Sequence, residues 1–430
     1  MTRTLGLLAW FFSLWLALAH TAVAQSGGRV LTMERALEIA RQHAPELRQA
    51  AASTRAAKAR IETARAPMLP QVTGTASFTY GTFNNPLTGP SDWETRGNLS
   101  AGLRATQLIY DFGQAWYVKE AAKQNAVAQE LDERATAQEI AYGVRNTFLT
   151  AGGNRALVDV ARATLSNQER HQAQIQGFVE VGTRPPLDLA QSRTDVANAR
   201  LALLRAENNY LAAKAELSRA MGTPESTDFE VSPELPPPEE SEAGNLDALV
   251  QLGEKQRPEF LAFGAQLSSQ EATTHSIKGQ YGPVLNAVAS VDENAYRMSR
   301  AAFNVSAGVA LTWPIYQGGL TDGRVAEAHA QTAVLQAQLE TLRQDLRVAV
   351  TQATLGIKAA QAALIAADEL VQLARERLAL AEGRYQTGVG NTIELGDAEL
   401  ALRDAQTQRV TAEYDLALAR ALLHRTLGRP

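Results

Sequence analysis

Cysteine is absent from the chain, which excludes disulfides, thiolate chemistry and a lipidated N-terminal cysteine. Aromatic residues are scarce at 6%, while Ala, Leu, Gln, Glu and Arg are abundant. That balance points to long helices with small-residue contacts rather than a compact globule. His43, His171, His275, His329 and His424 are scattered without metal-ligand spacing. The net charge of −5 is too mild to suggest nucleic acid as a partner. Catalytic signals are missing too. Gly388-Val389-Gly390 looks like half a dinucleotide loop, but no strand precedes it and Ile393 stands where the third glycine belongs. There is no nucleophile elbow and no Gly-rich loop ending in Lys-Ser or Lys-Thr. No catalytic residue, metal site or cofactor is expected.

What is present begins with a leader. Arg3, the apolar stretch 5–19 and Ala22-Val23-Ala24 read as a secretory signal over 1–24, with Gln25 the new N-terminus. No later stretch has about 20 uninterrupted apolar residues, so no membrane-spanning helix is expected after it. An exported chain of this kind is either soluble or inserted as a β-barrel. Without disulfides it needs a large core or oligomerisation.

The remainder repeats itself. Ile109-Tyr110 recurs as Ile315-Tyr316, Gly182 as Gly388, Leu189 as Leu395 and Met221-Gly222 as Leu427-Gly428, all at one offset of 206 residues (109 to 315). Pro45-Glu46 recurs as Pro258-Glu259 at 213 (45 to 258), so a seven-residue difference lies between Pro70 and Ile109. A duplicated unit this long is not a solenoid repeat; it implies a pseudo-two-fold subunit. The first unit covers 25–222 and the second 246–430. The connection 223–245 is rich in Pro and acidic residues and has no Lys or Arg; it reads as stiff, extended and solvated.

Each unit has the same order. Short helices broken at Pro45 and Pro258 lead in. Two stretches of period-two alternation follow, at about 72–80 and 98–109, then 284–291 and 303–313; these are strands. The interval 81–96 reads as a loop. Very long helices come next, over about 114–178 and 320–384. Val144, Ala151, Val158 and Leu165, and their twins Val350, Ile357, Leu364 and Val371, lie seven apart, the spacing of coiled-coil packing. At 1.5 Å per residue each helix is roughly 100 Å long. Tight turns at Gly182 and Gly388 send the chain back as helices 187–221 and 393–427.

Four strands cannot close a membrane barrel, since known single-chain barrels start at about eight. Open edges in lipid cost several kcal/mol per unpaired group. Three chains would give twelve strands. The fold class expected from the residues is mainly α with a small β part: two pseudo-repeats of helix, two strands, long helix and return helix, with several chains sharing one barrel and the helices continuing its wall. The competing expectation is a periplasmic adaptor or coiled-coil scaffold without a barrel; adaptors usually flank one hairpin with β-rich domains.

Particular residues sharpen this. Leu108-Ile109-Tyr110-Asp111-Phe112-Gly113 and Trp313-Pro314-Ile315-Tyr316-Gln317-Gly318-Gly319 mark the strand-to-helix passages, and Tyr385-Gln386-Thr387-Gly388 with Ile393-Glu394-Leu395 mark the second turn. In this order, twice over and along nearly the whole mature chain, they resemble the TolC-like outer-membrane efflux proteins. The resemblance implies a homotrimer whose 12-stranded outer-membrane β-barrel is continued by an α-helical periplasmic barrel: a passive exit channel of a Gram-negative bacterium, gated at its periplasmic coiled-coil end and serving tripartite efflux or type I secretion. Its implied partners are a periplasmic adaptor (membrane fusion protein), an inner-membrane pump of RND or ABC type, and outer-membrane lipid.

Candidate residues follow. Glu394 and Asp397 share a helix face, and in a trimer six carboxylates would ring the closed end and favour cations; the resemblance places such acids at the periplasmic aperture. Complementing the helix dipole is their other reading. The resemblance also gives Asp188 and Tyr385 a part in a latch, where capping and packing are the plain alternatives. The latch's basic partner falls on Gly390 here, and Arg184 is the available substitute. Gly182, Thr183, Arg184, Gly388, Val389 and Asn391 form the tips that, by the resemblance, meet an adaptor. Phe83, Tyr80, Trp93 and Trp313 sit near strand ends, either as an interfacial girdle or as loop packing.

Overall fold

The computed structural model describes residues 29–84, 93–224, 226–237, 245–295 and 301–429. The expected leader, Pro86, Gly89 and Pro90 of the first loop, and the acidic stretch 238–244 lie outside them.

The long helices dominate. α1 (Met33–His43), α2 (Pro45–Arg65), strands β2 (Gln71–Asn84) and β3 (Trp93–Tyr110), α3 (Gln114–Glu180) and α4 (Pro186–Ala220) make the first unit. A short β1 (Arg29–Leu31) precedes α1 and β4 (Phe229–Val231) follows α4. α5 (Leu246–Gln256), α6 (Pro258–Gly279), β5 (Val284–Ala295), β6 (Ala301–Thr312), α7 (Leu320–Gln386) and α8 (Thr392–Thr426) make the second. α3 and α7 have 67 residues each and α4 and α8 have 35 each.

Start signals are local. Thr32 caps α1 by accepting from the backbone N–H of Arg35, and Pro45 and Pro258 sit at the first turn of α2 and α6, where a missing N–H costs nothing. Of the heptad positions, Val144, Ala151, Val158, Val350, Ile357 and Val371 are buried, whereas Leu165 and Leu364 are only partly covered. Two related cores form around them. Phe148, Leu217 and Met221 close the first; Leu346, Leu423 and Leu427 close the second. α3 also packs against α6 and α8, joining the units. At this joint the Tyr414 ring lies on Gly152 and Gly153, and a Cβ at Gly152 would come within 2.9 Å of it.

The strands form one antiparallel sheet in the order β2-β3-β5-β6. The register aligns the apolar positions: Val72 faces Ala105, Phe78 faces Leu99, Leu103 faces Val291, Val291 faces Val305 and Leu285 faces Leu311. One face is therefore apolar across all four strands and lies bare, with Phe78 69% and Val305 77% exposed. Glu293, between Ala101 and Phe303, is the acidic exception on it. The opposite face carries hydroxyl pairs, Ser77 with Ser100 and Ser290 with Ser306. A 12-residue strand reaches about 40 Å at ~3.4 Å per residue, enough to cross a hydrocarbon layer of about 30 Å with tilt.

Three expectations need correction. β2 continues to Asn84 and β3 starts at Trp93, so 81–84 and 93–96 of the interval read as loop are ladder, paired to Asn84 opposite Trp93; Gly81 and the charged Glu94 and Arg96 hide this in the alternation. β5 runs on to Ala295 through Asp292, Glu293 and Asn294, whose polarity interrupts the alternation without breaking the ladder. The connection after Gly222 is not wholly solvated: β4 pairs parallel with β1, and Phe229 and Val231 are buried in the first core. One 18-residue window of α7 is apolar enough, by composition and length alone, to cross a bilayer. Thr351, Gln352, Thr354, Lys358 and Gln361 break its apolar run, so no 20 apolar residues follow one another there.

The strand-to-helix passages differ between units. Asp111 accepts from the backbone N–H of Gly113 (3.1 Å) and Ala115 (2.7 Å). This holds Phe112 at φ 54, a left-handed conformation costing a non-glycine about 1 kcal/mol or more. Its ring covers Gly282, where a Cβ would overlap the ring carbons. The twin position is Gly318, which takes φ 61 without strain.

Candidate functional site

The two helical hairpins end side by side, and their turns are built alike. α3 stops at Gly182 with φ 75 and α7 at Gly388 with φ 82, the conformation glycine adopts at least cost. The N–H of Thr183 reaches back to the carbonyl of Phe178 (3.0 Å), and that of Val389 to the carbonyl of Arg384 (3.0 Å), closing the last turns. Pro186 opens α4, and the Asn391 side chain caps α8 by accepting from the N–H of Glu394 at 2.7 Å.

Arg184 ties one turn to the other. Its guanidinium donates to the carbonyl of Tyr385 at 2.8 Å and lies 4.3 Å from the centre of that residue's ring. It also reaches the carbonyl of Gly390 at 3.4 Å. Tyr385 is buried among Ile175, Phe178, Ala381, Leu395 and Ala398. Its hydroxyl finds no hydrogen-bond partner among the described residues. Gly390 is closely packed: a Cβ there would stand 3.0 Å from the backbone of Arg384 and Tyr385. A basic side chain could not occupy that place without moving the turn.

The acidic candidates divide. Glu394 is paired with Arg384, Nε to Oε1 3.0 Å, both about half exposed. Asp397 is exposed and Asp188 half-buried, and neither side chain has a partner among the described residues. The structure thus brings Tyr385, Arg184 and Gly390 together, whereas no hydrogen bond joins Asp188 to the Tyr385 hydroxyl. Thr183, Val389 and Asn391 lie exposed at the ends, joined by bare apolar Val181, Leu187 and Ile393.

Above the turns lies a cluster that sequence reasoning missed. His171 of α3 sits between Glu399 of α8 (2.7 Å) and Glu382 of α7 (3.7 Å). Gln168 donates to the other oxygen of Glu399 at 2.6 Å. These residues line a polar cleft of about 430 Å³ between the hairpins. No spacing in the sequence announces it, because its members come from three helices. Among the girdle aromatics, Tyr80, Trp93 and Trp313 are exposed, and the Phe83 side chain lies outside the described residues.

A bare apolar sheet of membrane height that leads into two 67-residue helices is the build of a membrane channel subunit. The chain belongs to the outer membrane efflux protein family, whose model matches residues 36–223 and 249–429, one stretch in each unit. It is 26% identical over 402 residues to the outer membrane protein TolC of Salmonella enteritidis, covering 89% of this chain and 79% of that protein. It is 25% identical over 426 residues to the toluene efflux pump outer membrane protein TtgC of Pseudomonas putida, covering 95% and 86%. Among solved structures, a membrane protein from Pseudomonas aeruginosa superposes with a TM-score of 0.81 at 22% identity, over 92% of this chain and 90% of that one. The protein is an efflux channel of the outer membrane; the adaptor or scaffold reading is set aside. The family is one of channels, not of enzymes.

Proposed function

We propose that three copies close one 12-stranded barrel, each adding its four strands, and that the helices continue the wall as a periplasmic tube. The sheet carries this reading. Its apolar face is bare, its other face is polar, and β2 and β6 are left as open edges. Edges in lipid are untenable, and only pairing with further copies removes them without changing the fold. The leader over 1–24 would direct the chain to export. Energy would come from an inner-membrane pump, of RND or ABC type, joined through a periplasmic adaptor; efflux and type I secretion both fit a passive duct of this shape.

The paired turns are then the periplasmic gate. Arg184, stacked on Tyr385, holds the two hairpins of one subunit together and takes the place of the basic group absent at Gly390. Asp188, without a side-chain partner among the described residues, is placed to engage a neighbour. Asp397 and Glu394 would ring the aperture, with Asp397 the stronger because Arg384 offsets Glu394. The exposed ends, with Gly182, Thr183, Arg184, Gly388, Val389 and Asn391, form the surface an adaptor would meet.

The absence of cysteine makes the assembly directly testable. Single cysteines placed along β2 and β6 should cross-link between copies and run as trimers from the outer-membrane fraction without heating. A water-soluble monomer with no cross-linking at any register would overturn the proposal.

A further inference from the structure

We propose that His171, Glu399 and Glu382 form a pH-sensitive clasp that holds the two hairpins of one subunit together. This rests on the reading of the turns as a gate. The contact joins three helices: α3 supplies His171, α7 supplies Glu382 and α8 supplies Glu399. It is well shielded, the side chains of His171 and Glu399 being 18% and 10% exposed. Charge interactions in such a place are screened far less than at an open surface.

Every group facing the imidazole has a definite sense. From α7 and α8, Glu382 and Glu399 favour its protonated form, and Arg170 on its own helix opposes it. Arg403 of α8 lines the same cleft. From α4, Asp195 faces Glu399 from the far side across an adjoining cleft that also holds Asp397. The Glu399 contact, aided by Glu382, lifts the His171 pKa above the ordinary imidazole value despite burial, which works the other way. Burial and the Glu399 charge raise the pKa of Asp195 as well.

The direction follows from linkage. A histidine whose pKa is raised by its folded contacts stabilises them fully below its unperturbed value of about 6.5. That contribution is lost as pH climbs through the raised value. The hairpins are therefore clasped at mildly acidic pH and released at alkaline pH. The twin positions lack the device. At the 206-residue offset, His171 corresponds to Arg377, Glu382 to Gln176 and Glu399 to Arg193, and neither arginine has an ion pair among the described residues. The titratable clasp belongs to one hairpin pair only.

The test uses the full-length channel with Thr183→Cys and Val389→Cys, spin-labelled and assembled with an excess of unlabelled copies, so that the distance read is within one subunit. The distance distribution should be narrow at pH 6 and longer or broader at pH 8.5. His171→Gln should resemble the alkaline state at both values, and His171→Lys, which keeps a charge, the acidic state at both. A distribution that does not change between the two values, or a pH response that survives in His171→Gln, overturns the clasp. Conductance in planar bilayers is recorded in parallel. Tip separation that responds to pH while conductance does not leaves the clasp standing and removes the turns from the gate.

Discussion

At the scale of single residues, pairing decides which carboxylates matter. Glu394 and Asp397 share one helix face, yet Glu394 is paired with Arg384 and Asp397 has no ion pair among the described residues. Exposed ion pairs such as Arg384–Glu394 are worth about 0.2–1 kcal/mol, so Arg384 offsets Glu394 without fixing it. Asp397→Asn should lower cation preference in planar-bilayer reversal potentials under a salt gradient. Arg384→Ala should raise it, each by a factor of about five or less. Changes of the same sign in both variants would show that neither side chain faces the conducted ions. Tyr385 teaches a related lesson. A tyrosine near a turn is visible in the sequence, and its burial under an arginine from the other hairpin is not.

At the scale of elements, the helices are specified by short-range signals and the joint between them by shape. Gly182, Gly388, Pro186 and the Asn391 cap all act within a turn or so of themselves, which is why both hairpin ends are legible from residue order alone. Contacts between distant segments are not. The β1–β4 pairing joins residues 200 positions apart (29 to 229), and the His171 cluster draws on three helices; neither leaves a periodic trace. The strand ends were obscured for a different reason, since ladder pairing tolerates Asp292 and Glu293 where alternation does not. The α3–α8 joint depends on Gly152 having no side chain beneath Tyr414. Gly152→Leu should wedge the joint and cost about 1–3 kcal/mol, read as a lowered temperature for dissociating the heat-modifiable assembly. Tyr414→Ala in the same chain should recover part of that loss, because the two changes share one space. Simple additivity would mean that the ring and the glycine do not press on each other.

At the scale of the whole molecule, the sheet divides the chain's surroundings in two. Val305 lies on the apolar face and Ser306, its neighbour, on the polar one. Arginine at Val305 should destabilise membrane insertion by about 2–4 kcal/mol if it sits near mid-bilayer. Arginine at Ser306 should be tolerated and change conductance instead. Folding into vesicles, followed by heat-modifiability, distinguishes them, and equal penalties would place neither face in lipid. The duplication gives this molecule its shape, but its differences give it working parts: one unit has a clasp where the other has two arginines, and one has a strained phenylalanine where the other has a glycine.

The small parallel pairing between Arg29–Leu31 and Phe229–Val231 has a consequence for the order in which the chain matures. A segment near the beginning cannot take its place until one about two hundred positions later has been made and delivered. Such distant closures are slow. The earliest part of the folded body is thus among the last to settle, and it stays accessible to chaperones and proteases until the connection between the halves arrives to cover it.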